Sequence, residues 1–464
     1  MDSNFSVKRA ALLLAFAAAL WIMLFPFAGY TDKFSYSAAV VIVTLALWST
    51  GALPPFLAGL LFFALTTTFK LLPPDILFSG FGSTAVWLVV SGFVIGAAIT
   101  SSGLGNKLAL SIAPHIMSSY TLLIAGLVFS AALLGFVMPS SVGRAVVLIP
   151  IGMALAEHVG FAQGSNGRRG IATALALACN MPSFAILPSN IPNMILAGSS
   201  ETLFDIGFNY TDYLLLHFPI LGLVKSLLIV ALVLRIFPAS ISTSPSLDLL
   251  KSEHNFDSKQ QIRVAVLLGI TLLFWITDSV HGINPAWVGL CTAVILLTPR
   301  WGVVSPKLFN SSVDFGTLVF IAAALGLGAL VNHSGLGEHL GQSFSYLLPA
   351  SSESSFLHFM ALSLIATFTG LVTTVPGVPT VLAPMAANFA EVSGFSISAV
   401  LMTQVIGFST VIFPYQAAPL IVAMQLANEG LSALVKVTVP LTIITLLILV
   451  PLDYLWWLAL GWIA

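Results

Sequence analysis

The sequence predicts an all-α polytopic membrane protein built from two inverted repeats, and three observations carry that prediction. First, the chain of 464 residues is 58% hydrophobic and only 7% charged, with mean hydropathy +1.04, whereas a soluble chain is about a quarter charged. Second, its apolar runs recur at lengths of about twenty residues, the thickness of a bilayer core. A β-barrel would show short alternating strands instead. Third, motifs of the first half return in the same order in the second.

The run 10–27 resembles a signal peptide, but it is long, contains Trp21 and has no convincing cleavage site. It reads as a retained first helix, so residues 1–53 form N-terminal scaffold helices. The longest polar stretch, 239–261, holds Ser240, Ser242, Ser244 and Ser246 together with Lys251, Glu253, His254, Asp257 and Lys259. It reads as a cytoplasmic linker between a first repeat at 54–238 and a second at 262–464.

The repeat is read from four correspondences. Phe81-Gly82 returns as Phe315-Gly316, and Ser102-Gly-Leu-Gly105 as Ser334-Gly-Leu-Gly337. Ser140-Ser-Val-Gly143 with Pro150 becomes Thr374-Val-Pro-Gly377 with Pro384. The stretch from Leu187 to Ala197 aligns with that from Phe413 to Ala423, matching Pro188 to Pro414 and Asn190 to Gln416. An odd number of crossings separates the copies, so they are inverted, an arrangement whose substrate site lies at the repeat interface among broken helices. Within this frame 120–161 and 356–392 are re-entrant hairpins, while 170–200 and 396–427 are broken helices. A cytoplasmic N-terminus then puts twelve Lys and Arg at the inner side and only Lys33 and Lys70 outside, as the positive-inside rule requires.

Polar residues inside the apolar runs mark the site. Irregular or charged backbone at membrane depth is tolerated only inside protein or beside a water-filled cavity. The breaks at 138–143, 188–193, 373–379 and 414–419 meet this description. Each exposes carbonyls, amides and helix N-termini whose partial positive charge suits a carboxylate or sulfonate. Arg144 costs at least about 2.5–3.5 kcal/mol at that depth without a partner. No acid is expected deep in a span, since Glu157, Asp205, Asp212 and Asp278 sit near ends. The partner of Arg144 is therefore read as a transported anion or as backbone carbonyls at a helix end, the bland reading being an Arg that clamps its own hairpin.

The same lack of acids disfavours cation transport. Lys225 and His217 read as snorkelling or core contacts, His358 as structural, Cys179 and Cys291 as small core residues, and Trp456, Trp457 and Trp462 as an interfacial belt. No zinc-protease helix, paired-aspartate metal site or phosphate loop is present. The chain thus reads as a carrier, not an enzyme, without a basic patch for nucleic acid and with the lipid bilayer as its setting.

With these residues in hand, the chain resembles the divalent anion/sodium symporter family over both halves. Ser140-Ser141-Val142 stands at the family's first Ser-Asn-Thr tip and Thr374-Val375-Pro376 at its second. Asn190-Ile-Pro-Asn193 and Gln416-Ala-Ala-Pro419 resemble its unwound loops. Pro139-Ser-x-x-x-Arg144 is similar to the citrate/succinate antiporter and chloroplast dicarboxylate translocator branch. The resemblance implies about eleven transmembrane helices, two re-entrant hairpins, a homodimer in the inner membrane, and alternating-access transport of di- or tricarboxylates. Exchange is the expected mode and sodium symport the alternative. It implies substrate binding by Ser140, Ser141, Arg144, Asn190, Pro192 and Asn193 from the first half. Thr373, Thr374, Thr380, Gln416 and Pro419 serve from the second. Na+ as coupling ion is implied near Ser140, Gly143, Asn190, Thr374 and Gly377. No resident cofactor is expected. Both Asn-Thr pairs of the tip motifs are absent here, so Arg144 is read as a fixed charge standing in for a coupling cation.

Overall fold

A computed structural model describes residues 2–105, 107, 111, 116–241, 257–349 and 354–463, with side chains from residue 8 onward. Most of the linker 239–261 lies outside the described residues. The described chain is helical throughout, without strands. Nine of its helices are long and apolar enough to cross a membrane. They are α2 (Asp32–Thr50), α4 (Thr84–Ser102), α5 (Tyr120–Val137), α6 (Ser141–His158), α9 (Tyr210–Ile236), α10 (Ser258–Ile276), α12 (Phe315–His333), α14 (Ser355–Thr373) and α18 (Ser432–Ala459). The expectation was about eleven. The difference lies in apolar helices that are short, namely α3 (Pro55–Thr68), α11 (Pro285–Leu297) and α17 (Ala418–Ala427). The remaining helices of eight residues or more are α1 (Asp2–Leu24), α7 (Asn166–Asn180), α8 (Ile191–Phe204), α13 (Leu336–Ser345), α15 (Gly377–Ser393) and α16 (Ile397–Phe408).

The two broken stretches form the centre. Every residue from 170 to 190 is buried, covering most of α7 and the whole break after it. Residues 399–411, covering α16 and its end, are likewise buried throughout. Residues 170–190 are rich in Ala and other small residues, and small residues let helix backbones approach closely where lipid supplies no hydrophobic drive. A Cβ on Gly407 would lie 2.1 Å from the Cβ of Ala366, so α16 presses backbone to backbone on α14. A Cβ on Gly92 would lie 2.8 Å from the ring of Pro139, which docks the first break against α4.

Local chemistry sets where the helices stop. Ser140 ends the 138–140 turn by accepting the Gly143 N–H at 3.0 Å, capping α6. Asn190 does the same for α8 by accepting the Ile191 N–H at 3.1 Å, and Pro192 occupies the first turn, where no N–H is required. α17 likewise begins with Pro419 in its first turn. α15 and α16 meet at a bend of 116°.

The end of α6, the start of α7 and the end of α17 are joined by charge. Arg168 pairs with Glu157 at 2.8 Å and lies 3.7 Å from Glu429, as does Arg169. The Gly164 N–H donates to Glu429 at 3.1 Å.

Several sequence expectations change. Trp457 is fully buried and so does not belong to an interfacial belt. Cys179 is buried, but Cys291 is exposed on α11. His358 is structural as expected, its Nε2 lying 2.9 Å from the Pro349 carbonyl. Lys225 does not snorkel: it is 1% exposed. Asp453 overturns the expectation that no acid lies deep in a span, because it is fully buried in α18.

Candidate functional site: a cavity at the helix breaks

A cavity of about 530 Å³ lies where the breaks meet, within the range of about 300–1,000 Å³ typical of small-molecule sites. From the first half it takes Asn180, Phe184, Asn190, Ile191 and Pro192; from the second, Thr374–Pro376 and Tyr415–Pro419. Trp48, Phe56 and the start of α12 close the remaining wall. Of the expected site residues, the structure brings together Asn190, Pro192, Thr374, Gln416 and Pro419 on this wall.

Four helices begin at the cavity. Asn190 caps α8, Asp314 stands before α12, Pro376 before α15 and Ala417 before α17, and all four are lining residues. The first N–H groups of a helix lack intrahelical partners and carry partial positive charge. Among the described residues no Lys, Arg or His lines the cavity. The charged side chain on the wall is Asp314, whose Oδ2 accepts from the Thr317 hydroxyl at 2.6 Å, so positive potential there is supplied by oriented backbone alone.

The second-half wall is stitched by hydrogen bonds. Gln416 Oε1 accepts the N–H groups of Ile412 and Phe413 at 2.9 and 2.8 Å. The Val375 N–H donates to the Gln416 carbonyl at 3.0 Å, tying the 374–376 turn to the α16–α17 break. Thr374 adopts φ +71°, ψ 168°, a region that is nearly glycine-only and costs about 1–3 kcal/mol for other residues. A Thr374→Gly variant is expected to melt at higher temperature in detergent. The strain released exceeds the roughly 0.5–1 kcal/mol entropic penalty of glycine. A lower melting temperature would contradict the strain argument.

The other expected residues lie behind the wall. Arg144, expected to face an anion, is fully buried and does not line the cavity. Its guanidinium donates to Cys179 O at 3.1 Å (Nε) and 2.8 Å (Nη2), to Ser189 Oγ at 2.9 Å and to Ser141 Oγ at 3.0 Å. Met138 O and Ser189 O complete the set. A guanidinium has five N–H donors, and these five acceptor atoms use them all. The partners are carbonyls at the end of α7, in the 138–140 turn and in the break, with two serine hydroxyls, which matches the helix-end reading left open by the sequence. Ser140 and Ser141 are engaged in this arrangement, and Asn193 donates inward to Ser183 O and Ile186 O. Thr373 and Thr380 bond to carbonyls one turn back.

Residues 43–408 match the citrate transporter family CitMHS. The chain belongs to that family. This citrate transporter family member is 26% identical to the chloroplast dicarboxylate transporter 1 of Arabidopsis thaliana over 349 residues, covering 73% of this chain and 62% of that one. It is 20% identical to the sodium-dependent dicarboxylate transporter SdcS of Staphylococcus saprophyticus, covering 71% and 68%. Its fold matches the crystal structure of the Alcanivorax borkumensis YdaH transporter with TM-score 0.55 at 18% identity, covering 83% of this chain and 87% of that one. These names agree with the resemblance drawn from the tip and loop motifs.

Sequence reasoning missed Trp48, Phe56, Asn180, Asp314, Thr317 and Tyr415 as lining residues of this family member. The one available signal was Phe315-Gly316, legible as a repeat mark at the very start of α12.

Proposed function

We propose that the chain is a secondary transporter that exchanges small di- or tricarboxylate anions by alternating access. In this reading it works as a homodimer in the inner membrane, with a cytoplasmic N-terminus and inverted halves. The observation that carries it is the convergence of four helix N-termini on one cavity walled by breaks from both halves. Partial charges aimed at a carboxylate select for negative charge without fixing a particular anion. Asn190 and Gln416 add amides on opposite sides of the cavity.

Sodium-independent exchange is supported by what already holds the helix ends. Half-helix carboxyl ends are where coupling sodium ions bind in this architecture. Here the end of α7 carries Arg144 at Cys179 O, and the end of α16 carries Lys225, 2.7 Å from Ser409 O. A guanidinium among the oxygens near Ser140 and Gly143 does not fit a second cation beside it. Sodium symport remains the second reading because SdcS is by name sodium-dependent.

Counterflow in proteoliposomes tests both readings. Vesicles loaded with unlabelled citrate or succinate are expected to take up the labelled anion equally well in sodium and in choline. Loss of uptake in choline would favour symport. No counterflow with any di- or tricarboxylate would overturn the proposal.

A further inference from the structure

The cavity at the breaks differs from one end to the other. Its buried lining carries amides and helix starts, namely Asn180, Asn190, Gln416 and Ala417. Asn190 and Ala417 stand before α8 and α17, whose first N–H groups bring partial positive charge to this end. Asn180 is 1% exposed, and its Nδ2 has no hydrogen-bond partner. A buried donor without an acceptor is costly, and on a cavity wall it marks where a ligand oxygen fits.

The exposed lining residues Phe56, Asp314 and Tyr415 mark the other end, the mouth. Aromatic rings gather on the wall made by α2, α3 and α12. Trp48 and Phe320 meet edge to face with ring centroids 5.2 Å apart. Phe56 packs on the start of α12 at Gly316, where an added Cβ would lie 3.2 Å from its ring. The side-chain donors of the mouth are already spent. The Trp48 indole N–H donates to Pro55 O at 3.0 Å, the Tyr415 hydroxyl to Leu371 O at 2.8 Å and the Thr317 hydroxyl to Asp314 Oδ2 at 2.6 Å. The rings therefore offer apolar faces, and the charge beside them is negative. Asp314 Oδ1 would lie 3.1 Å from the same Cβ on Gly316, which sets the carboxylate next to the Phe56 ring.

Such a cavity does not suit a small polyanion along its whole length. Succinate and citrate are polar at every edge, so oxygens set against these rings lose water without gaining a donor. The volume of about 530 Å³ is also that of a site for a drug-sized ligand, more than succinate fills.

We infer that the anions this carrier binds best are dicarboxylates with both acid groups at one end of an apolar, ring-sized body. The inference rests on the anion-carrier reading and narrows it. The acid end takes the buried amides and the starts of α8 and α17. The body lies on Trp48, Phe56 and Phe320, where burial of apolar surface supplies affinity. Asp314 repels a carboxylate carried to the mouth, so acid groups at opposite ends of a long chain are selected against. Specificity then comes from a repulsive group as well as from attractive ones. Succinate is carried as a truncated member of the class, an acid end without a body.

The test uses the full chain in proteoliposomes, with labelled succinate outside and unlabelled phenylsuccinate, succinate or suberate inside. An internal anion speeds uptake of the label only if it is itself carried. Phenylsuccinate has its carboxylates on neighbouring carbons beside a ring, whereas suberate has them at the two ends of an alkyl chain. Phenylsuccinate is expected to half-saturate at a concentration at least about tenfold below that of succinate, as burial of a ring implies. Suberate is expected to need at least about tenfold more than phenylsuccinate. Phe56 is 41% exposed, so Phe56→Ser is compatible with folding. That variant is expected to lower the succinate-to-phenylsuccinate ratio by about threefold or more. Asp314→Asn is expected to shrink the suberate deficit by about as much. Each readout is a ratio within one variant, which a general loss of folded protein does not move. Equal half-saturation by phenylsuccinate and succinate in the wild type, or a ratio unmoved in either variant, would overturn the inference. So would suberate as effective as phenylsuccinate, or phenylsuccinate that competes from outside without stimulating from inside, the behaviour of a blocker. No stimulation by any of these anions would instead defeat the carrier reading itself.

Discussion

Arg144→Gln is expected to lower the melting temperature sharply in detergent and to reduce anion exchange at least about tenfold, while KM of the residual activity stays within about twofold. The reasoning follows from where the guanidinium points. It joins three segments: the 138–141 turn, the end of α7 at Cys179, and Ser189 in the first break. Removing it leaves carbonyls at the end of α7 unsatisfied in an interior without bulk water. Hydrogen bonds to charged groups are each worth about 1.5–3 kcal/mol, and each buried carbonyl left without a partner costs about 1–3 kcal/mol. Arg144→Lys keeps the charge but not the planar fork, so it is expected to recover stability only in part. The signature separates positioning from substrate contact. A variant that melts like the wild type but has a KM raised tenfold would mean that Arg144 meets the anion in another conformation of the cycle.

Gln416→Leu is expected to be the most damaging change on the cavity wall itself. Its Oε1 is the shared acceptor for the Ile412 and Phe413 N–H groups, which lie in the break and have no helical partner. A fully buried donor left unpaired costs about 1–3 kcal/mol; these two are part-buried, so the variant is expected to lose about 1–3 kcal/mol in all, seen as a lower melting temperature and weak expression. Gln416→Glu distinguishes structure from binding. A carboxylate oxygen still accepts both bonds, so the fold is expected to survive. A new negative charge on the wall is expected to raise KM for a dicarboxylate by about tenfold or more, given Coulomb energies near a protein surface. An unchanged KM in that variant would remove Gln416 from the binding wall.

How much of this was legible in the sequence follows from what each residue needs nearby. The breaks were legible because proline, serine and amide residues inside apolar runs have few reasons to be there. Asn190, Pro192, Thr374, Gln416 and Pro419 were found in this way. The partner of Arg144 was not decided, because a carbonyl acceptor leaves no trace in side-chain identity, and Cys179 looks like any small apolar residue. Trp48 and Phe56 line the cavity only through the packing of helices distant in sequence. Asp453 was overlooked within the last apolar run.

The charged junction of Arg168 and Arg169 with Glu429 fastens the start of α7 to the end of α17. The breaks lie at the far ends of these helices. With fifteen residues at about 1.5 Å each, α7 is an arm of about 22 Å. A turn of about 10° at the junction displaces the break by about 4 Å, close to the width of a carboxylate. In the proposed alternating-access cycle the junction would serve as a fulcrum, gearing small rotations up into the opening of a substrate-sized gap.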